Sequence, residues 1–107
     1  MTLVLVRDLM FSSKITAAAR EAGVAVKVVR DPAQLASQPG ERLIVDLNQP
    51  GALEAATAWK QTTGGEVIGF ASHVDTDTIH KVHQSGIDRV LSRGQFTQLL
   101  PNLLQNG

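Results

Sequence analysis

Leu43-Ile44-Val45-Asp46-Leu47-Asn48-Gln49-Pro50-Gly51 is the stretch whose reading decides the fold. Three branched apolar residues run into an acid, and Pro50-Gly51 ends the extended run shortly afterwards. A buried strand that delivers one carboxylate, Asp46, to the edge of a sheet has this pattern.

Working outward towards the N-terminus, Asp31-Pro32 is a helix start, a capping acid followed by proline at the first helical position. That helix is short, passing through Leu35 and ending at Gln38-Pro39-Gly40. Residues 24–29 form a strand whose Lys27 marks it as a sheet edge. Before it, Phe11, Ile15, Ala18, Ala19 and Ala22 recur at helical spacing, with Ser12 or Ser13 as the expected N-cap, Asp8 as an alternative helix-entry cap and Gly23 as the left-handed stop. Residues 2–6 are a short apolar strand that ends at Arg7-Asp8.

Towards the C-terminus, a helix over about residues 52–61 carries the stripe Ala52, Ala55, Ala56 and Trp59, and Gly64-Gly65 breaks it. Trp59 is expected to pack at the end of that helix. Residues 66–70 form a strand leading to Ala71-Ser72-His73. A helix over about 76–85 turns Ile79 and Val82 inward, and a brief strand at 88–91 leads to Ser92-Arg93-Gly94. Phe96, Leu99, Leu100 and Leu103 line a last helix, in which Pro101 predicts a kink or a break.

Strand and helix thus alternate five times across residues 1–107, as in one domain with a parallel sheet covered on both faces. The apolar strands at 2–6, 43–45 and 67–70 belong inside, and the charged ones at 24–29 and 88–91 at the edges. The order is then 2-1-3-4-5, a flavodoxin-like doubly wound (βα)5 three-layer sandwich.

Composition removes several functions. Ten basic and ten acidic residues give no electrostatic footprint for nucleic acid or an anionic membrane. No apolar run approaches the roughly 18 residues of a membrane span, and charge follows the start too soon for a signal peptide. The absence of cysteine excludes disulfides and thiol chemistry, so a cytoplasmic location is expected. A flavin phosphate loop does not fit the bulky Arg7-Asp8-Leu9-Met10-Phe11, and neither G-x-G-x-x-G nor D-x-H-x-x-G occurs. His73, Asp75, Asp77, His80 and His83 match no zinc spacing, and His80 and His83 are expected on a solvated helix face.

In such sheets the site lies at the carboxyl ends of the strands, where the order reverses. The residues delivered there are Arg7, Asp8, Asp46, Ser72 and Arg93. Carboxylates hold a hard cation, a hydroxyl donates to a phosphoryl oxygen and guanidinium balances charge, so the set suits a phosphoryl group.

Over nearly its whole length the chain resembles a response-regulator receiver domain. Asp46-Leu47-Asn48-Gln49-Pro50 resembles the D-x-N-x-P segment that carries the phospho-accepting aspartate. The resemblance implies Asp46 as acceptor, Ser72 as the switch hydroxyl, Arg93 in the place of a lysine, and Asp8, Asp46 and the Asn48 backbone carbonyl as magnesium ligands. It implies a sensor histidine kinase or another signalling protein as partner, and self-catalysed phosphoryl acceptance rather than a turnover enzyme.

The departures are Arg7 at the other acid of the metal pair, Arg93 for lysine, Gly94 for the following proline, and Val90 at the switch aromatic. Arg7 is expected to pair with Asp8 or Asp46 and so to weaken magnesium binding. Two further readings stand beside phosphoryl acceptance. One is a pseudo-receiver that binds a partner through the last third of the chain, over residues 76–93, without phosphorylation. The other is a small-anion module held by Arg7 and Arg93.

Overall fold

The computed structural model describes residues 1–72 and 76–105. Ten elements alternate along the chain: β1 (Thr2–Leu5), α1 (Leu9–Ala22), β2 (Val26–Val29), α2 (Pro32–Leu35), β3 (Arg42–Asp46), α3 (Ala52–Thr63), β4 (Glu66–Ala71), α4 (Thr76–Ser85), β5 (Arg89–Ser92) and α5 (Arg93–Gln105). All strand pairings are parallel, and the five strands lie in the order β2-β1-β3-β4-β5. The doubly wound arrangement read from the strand chemistry is therefore the observed one. The exposed Lys27 and Arg89 sit on the two edge strands, while an exposed Glu66 begins the inner strand β4.

Side chains of successive strand residues point to opposite faces, and the core divides accordingly. Val4, Ile44, Ile68 and Phe70 pack with Phe11, Ile15, Phe96 and Leu100 of α1 and α5. Leu3, Leu5, Leu43, Val45 and Val67 pack with Leu35, Ala52, Ala56 and Trp59 of α2 and α3, and with Val82 of α4. Among the described residues no helix is long and apolar enough to cross a membrane.

Three local expectations change. Helix α1 starts at Leu9, four residues before Ser13, because Asp8 rather than a serine is its N-cap: Asp8 Oδ1 accepts from the N–H groups of Met10 (2.9 Å) and Phe11 (3.3 Å). Ser12 instead lies buried and donates to the Leu9 carbonyl. Helix α5 runs unbroken through Pro101. The ring removes one hydrogen bond, but Leu100, Leu103 and Leu104 bury their side chains around it, and Arg42 Nη1 donates to the Leu103 carbonyl in the last turn. Finally, Ile79 remains partly exposed on α4, whose buried residue is Val82.

Arg42 also extends β3 by one residue beyond the apolar run. It is a buried cation, and its Nε lies 3.1 Å from Glu66 Oε1 on the neighbouring strand. At the same edge Trp59 is fully buried and donates from Nε1 to the Gln38 carbonyl at 3.0 Å. Gly65 closes the space around it, since a Cβ there would meet the indole at 2.5 Å.

Candidate functional site

Parallel strands all end at one edge, so β1, β3 and β5 bring Asp8, Asp46 and Arg93 together. Asp46 is the last residue of β3 and is 7% exposed. Its Oδ1 accepts from the Asn48 N–H at 3.0 Å, the local turn bond that an acid before such a loop makes readily. Its Oδ2 lies 3.7 Å from Arg93 Nη2, and the same nitrogen is 4.0 Å from Asp8 Oδ2. One guanidinium therefore spans both carboxylates. At about 4 Å each such pair has a gross attraction of about 4 kcal/mol at an effective dielectric near 20, before desolvation is subtracted.

What holds Arg93 there is aromatic. Its guanidinium carbon sits 4.6 Å from the centroid of the Phe11 ring and 5.9 Å from that of Phe70. Phe11, Phe70 and Phe96, all three phenylalanines of the chain, stack with centroids 4.6 to 5.8 Å apart. A planar guanidinium over a ring face gains cation–π attraction that lysine would match less well. Sequence patterning placed Phe11 and Phe96 on apolar stripes but gave no sign of this shelf, because nothing local links residues so far apart in the chain. Arg93 Nε is buried and lacks an acceptor.

Ser72 and Asn48 meet across the mouth of the crevice: Asn48 Nδ2 donates to Ser72 Oγ at 2.6 Å. The loop after β3 is thereby tied to the end of β4. Of the histidine and acid cluster considered above, His73 and Asp75 lie outside the described residues.

Arg7 departs from expectation. It is exposed and makes no ion pair among the described residues, with Asp8, Asp46 or any other acid. Arg93 already occupies the space beside both carboxylates, and Arg7 instead lines a separate pocket with Arg30, Asp31 and Gln49. Arg93 is not among the residues that line that pocket. The neutralising cation in the crevice is Arg93.

The donor set does not fit a hard divalent cation. Such an ion needs several oxygen ligands and gathered negative charge. Here Asp8 spends Oδ1 on the α1 cap, Asp46 spends Oδ1 on Asn48, and their other oxygens share a fixed positive charge. Among the described residues no group of three or more His, Cys, Asp or Glu gathers closely enough to hold a metal.

No protein-family model and no curated protein sequence matches the chain. Solved structures do. A response regulator from Thermotoga maritima superposes with a TM-score of 0.78 at 13% identity, covering 99% of this chain and 97% of the other. The chemotaxis protein CheY4 of Vibrio cholerae gives 0.83 at 15% identity, with 98% and 95% covered. The receiver domain of DrrB, activated with BeF3, gives 0.84 at 15% identity, with 98% and 93% covered. At these identities the likeness establishes the fold, which is that of CheY-like response-regulator receiver domains.

Proposed function

We propose that the chain is a receiver-like signalling domain that acts by binding a partner protein, with its crevice neutralised by Arg93 in place of magnesium. The observation that carries this reading is the single guanidinium within 4.0 Å of both Asp8 and Asp46. In a receiver the two acids would need a metal to offset their repulsion and to polarise an incoming phosphoryl group. Here a residue of the chain supplies the charge permanently. The partner is a sensor kinase or another signalling protein, and the face offered to it is that of α4, β5 and α5.

One feature favours a second reading, phosphoryl acceptance at Asp46. Its Oδ2 accepts no hydrogen bond among the described residues and faces the crevice, so one oxygen is presented as a nucleophile. In that case Oδ2 attacks the phosphorus of a phosphohistidine, the P–N bond breaks and the imidazole leaves with its electron pair. Arg93 and the Ser72 hydroxyl then contact the new phosphoryl oxygens.

Intact-mass measurement after incubation with acetyl phosphate, with and without magnesium, separates the two. The first reading expects no added phosphoryl group in either case. A mass gain that disappears in Asp46→Asn would replace it with the second. Calorimetry with magnesium is expected to show no binding to the parent protein and measurable binding to Arg93→Ala, whereas Arg7→Asp changes little because Arg7 stands outside the crevice. Magnesium binding restored by Arg7→Asp alone would overturn the role given to Arg93.

A further inference from the structure

We propose that Phe11 is a positioning residue: its ring, and not the pull of the two acids, sets where Arg93 stands and so closes the Asp46 crevice to a hard cation. The inference rests on the reading of Arg93 as the counter-ion of that crevice, and it assigns the cause of the placement. Left to charge alone, a guanidinium beside a carboxylate closes to hydrogen-bonding contact, at about 2.7–2.9 Å. Arg93 Nη2 instead stands 3.7 Å from Asp46 Oδ2 and 4.0 Å from Asp8 Oδ2, beyond hydrogen-bond reach of either. Its Nε is buried and has no acceptor. Attraction to the acids therefore does not by itself account for the position.

The aromatic contact does. The guanidinium carbon is 4.6 Å from the Phe11 centroid, nearer than the 5.9 Å to Phe70, and both lie within the roughly 6 Å over which a ring face attracts a cation. Phe11 is itself held, stacked on Phe70 at 4.9 Å and on Phe96 at 5.8 Å. The ring and one of the acids come from a single turn of α1, since Asp8 caps that helix and accepts from the Phe11 N–H at 3.3 Å. Shelf and crevice are thus fixed to one another by the backbone, and Arg93 reaches them from the start of α5. Resting on the ring, the guanidinium stays off contact with either acid and shares its charge between both. Tight pairing with one acid would leave the other free to help hold a divalent ion.

The use of phenylalanine in this chain is the independent sign. All three phenylalanines gather in one stack, inside a core cluster that is otherwise aliphatic, and the Phe11 ring carries the guanidinium. A leucine at position 11 would also bury an apolar side chain in that cluster. What leucine lacks is the negative face of a ring. A lysine at position 93 would not be held in the same way, because its compact ammonium has no planar face to lay on the ring.

The test compares Phe11→Leu, which removes the ring face, with Phe11→Tyr, which keeps it. In proton–carbon correlation spectra of the full chain, the Arg93 side-chain resonances are expected to show an upfield ring-current displacement. Phe11→Leu should lose it and Phe11→Tyr should keep it. Calorimetry is expected to show magnesium binding in Phe11→Leu that is at least about tenfold tighter than in the parent or in Phe11→Tyr. Should Phe11→Leu fail to fold, Arg93→Lys takes its place, since it keeps the charge but loses the stacked plane, and it is expected to gain magnesium binding in the same way. The proposal is overturned if Arg93→Ala binds magnesium while folded Phe11→Leu, or Arg93→Lys in its place, does not. The acids would then place Arg93, and the counter-ion reading would survive. Arg93 resonances that are the same in the parent and in Phe11→Leu overturn it equally. No magnesium binding by Arg93→Ala would instead remove the counter-ion reading, and this proposal with it.

Discussion

At the amino edge of the sheet the charges are met at contact distance, and at the carboxyl edge they are not. Lys60 Nζ lies 2.7 Å from Asp88 Oδ2, and that oxygen also accepts from the Val67 N–H at 2.7 Å. Arg42 bridges Glu66 and the Leu103 carbonyl from inside the protein. Across the sheet, Arg93 reaches its two acids only at 3.7 and 4.0 Å and keeps one buried N–H unpaired. Arg7 and Arg30 make no ion pair among the described residues, although Asp31 lines the same pocket. Full satisfaction rigidifies, and incomplete satisfaction leaves groups free to meet something else. The amino edge is the tightly paired one, while the carboxyl edge leaves charges incompletely paired.

The largest effect that could break this contrast is at the tight end. Trp59→Ala removes a fully buried indole and its bond to Gln38, and should cost about 3–5 kcal/mol in urea unfolding. A loss below about 1 kcal/mol would show that the amino edge is no anchor.

Asp8 sharpens the contrast at the loose end, because its two oxygens do separate work. Asp8→Ala should cost about 1 kcal/mol through the lost α1 cap, and Asp8→Asn much less, since an amide oxygen still caps. Equal losses in the two variants would mean that the pairing with Arg93, not the cap, is what stabilises.

The smallest effect concerns Asp88. Burial pushes its carboxyl up, but the Lys60 hydrogen bond, the Val67 N–H and the Lys60 charge outweigh this and hold it below the ordinary value of 3.8. Because the folded value is the lower one, the stability it confers is complete above pH 3.8 and is lost as pH falls through the folded value. Asp88→Asn should therefore flatten the acid limb of a stability–pH curve and leave its slope near neutrality unchanged. An unchanged acid limb would place the acid sensitivity elsewhere.

How far the sequence could be read follows from the range of the forces involved. Apolar runs, turn residues and helix stops act over a few neighbours, so the ten elements and the edge positions of Lys27 and Arg89 were legible. So was the delivery of Asp8, Asp46, Ser72 and Arg93 to one edge, because parallel strands leave no other choice. For α1 the serine caps were wrong and the helix-entry cap at Asp8 was right, although Asp8 lies outside the apolar periodicity that located the helix. Of the kink or break expected at Pro101, the break does not occur, and Leu100, Leu103 and Leu104 are buried around it.

By itself, then, the sequence determined the sheet order and which side chains share its carboxyl edge, since both follow from local patterning and chain direction. Only the tertiary structure decided which arginine enters the crevice. Arg7 and Arg93 are both long, permanently charged and placed at strand ends, and no local pattern ranks one above the other. The choice was made by the ring of Phe11, set against Phe70 and Phe96 from distant parts of the chain, which gives Arg93 a face to rest on. Arg7 is left among Arg30, Asp31 and Gln49 instead. Long-range packing, which no short stretch encodes, fixed where the charge stands.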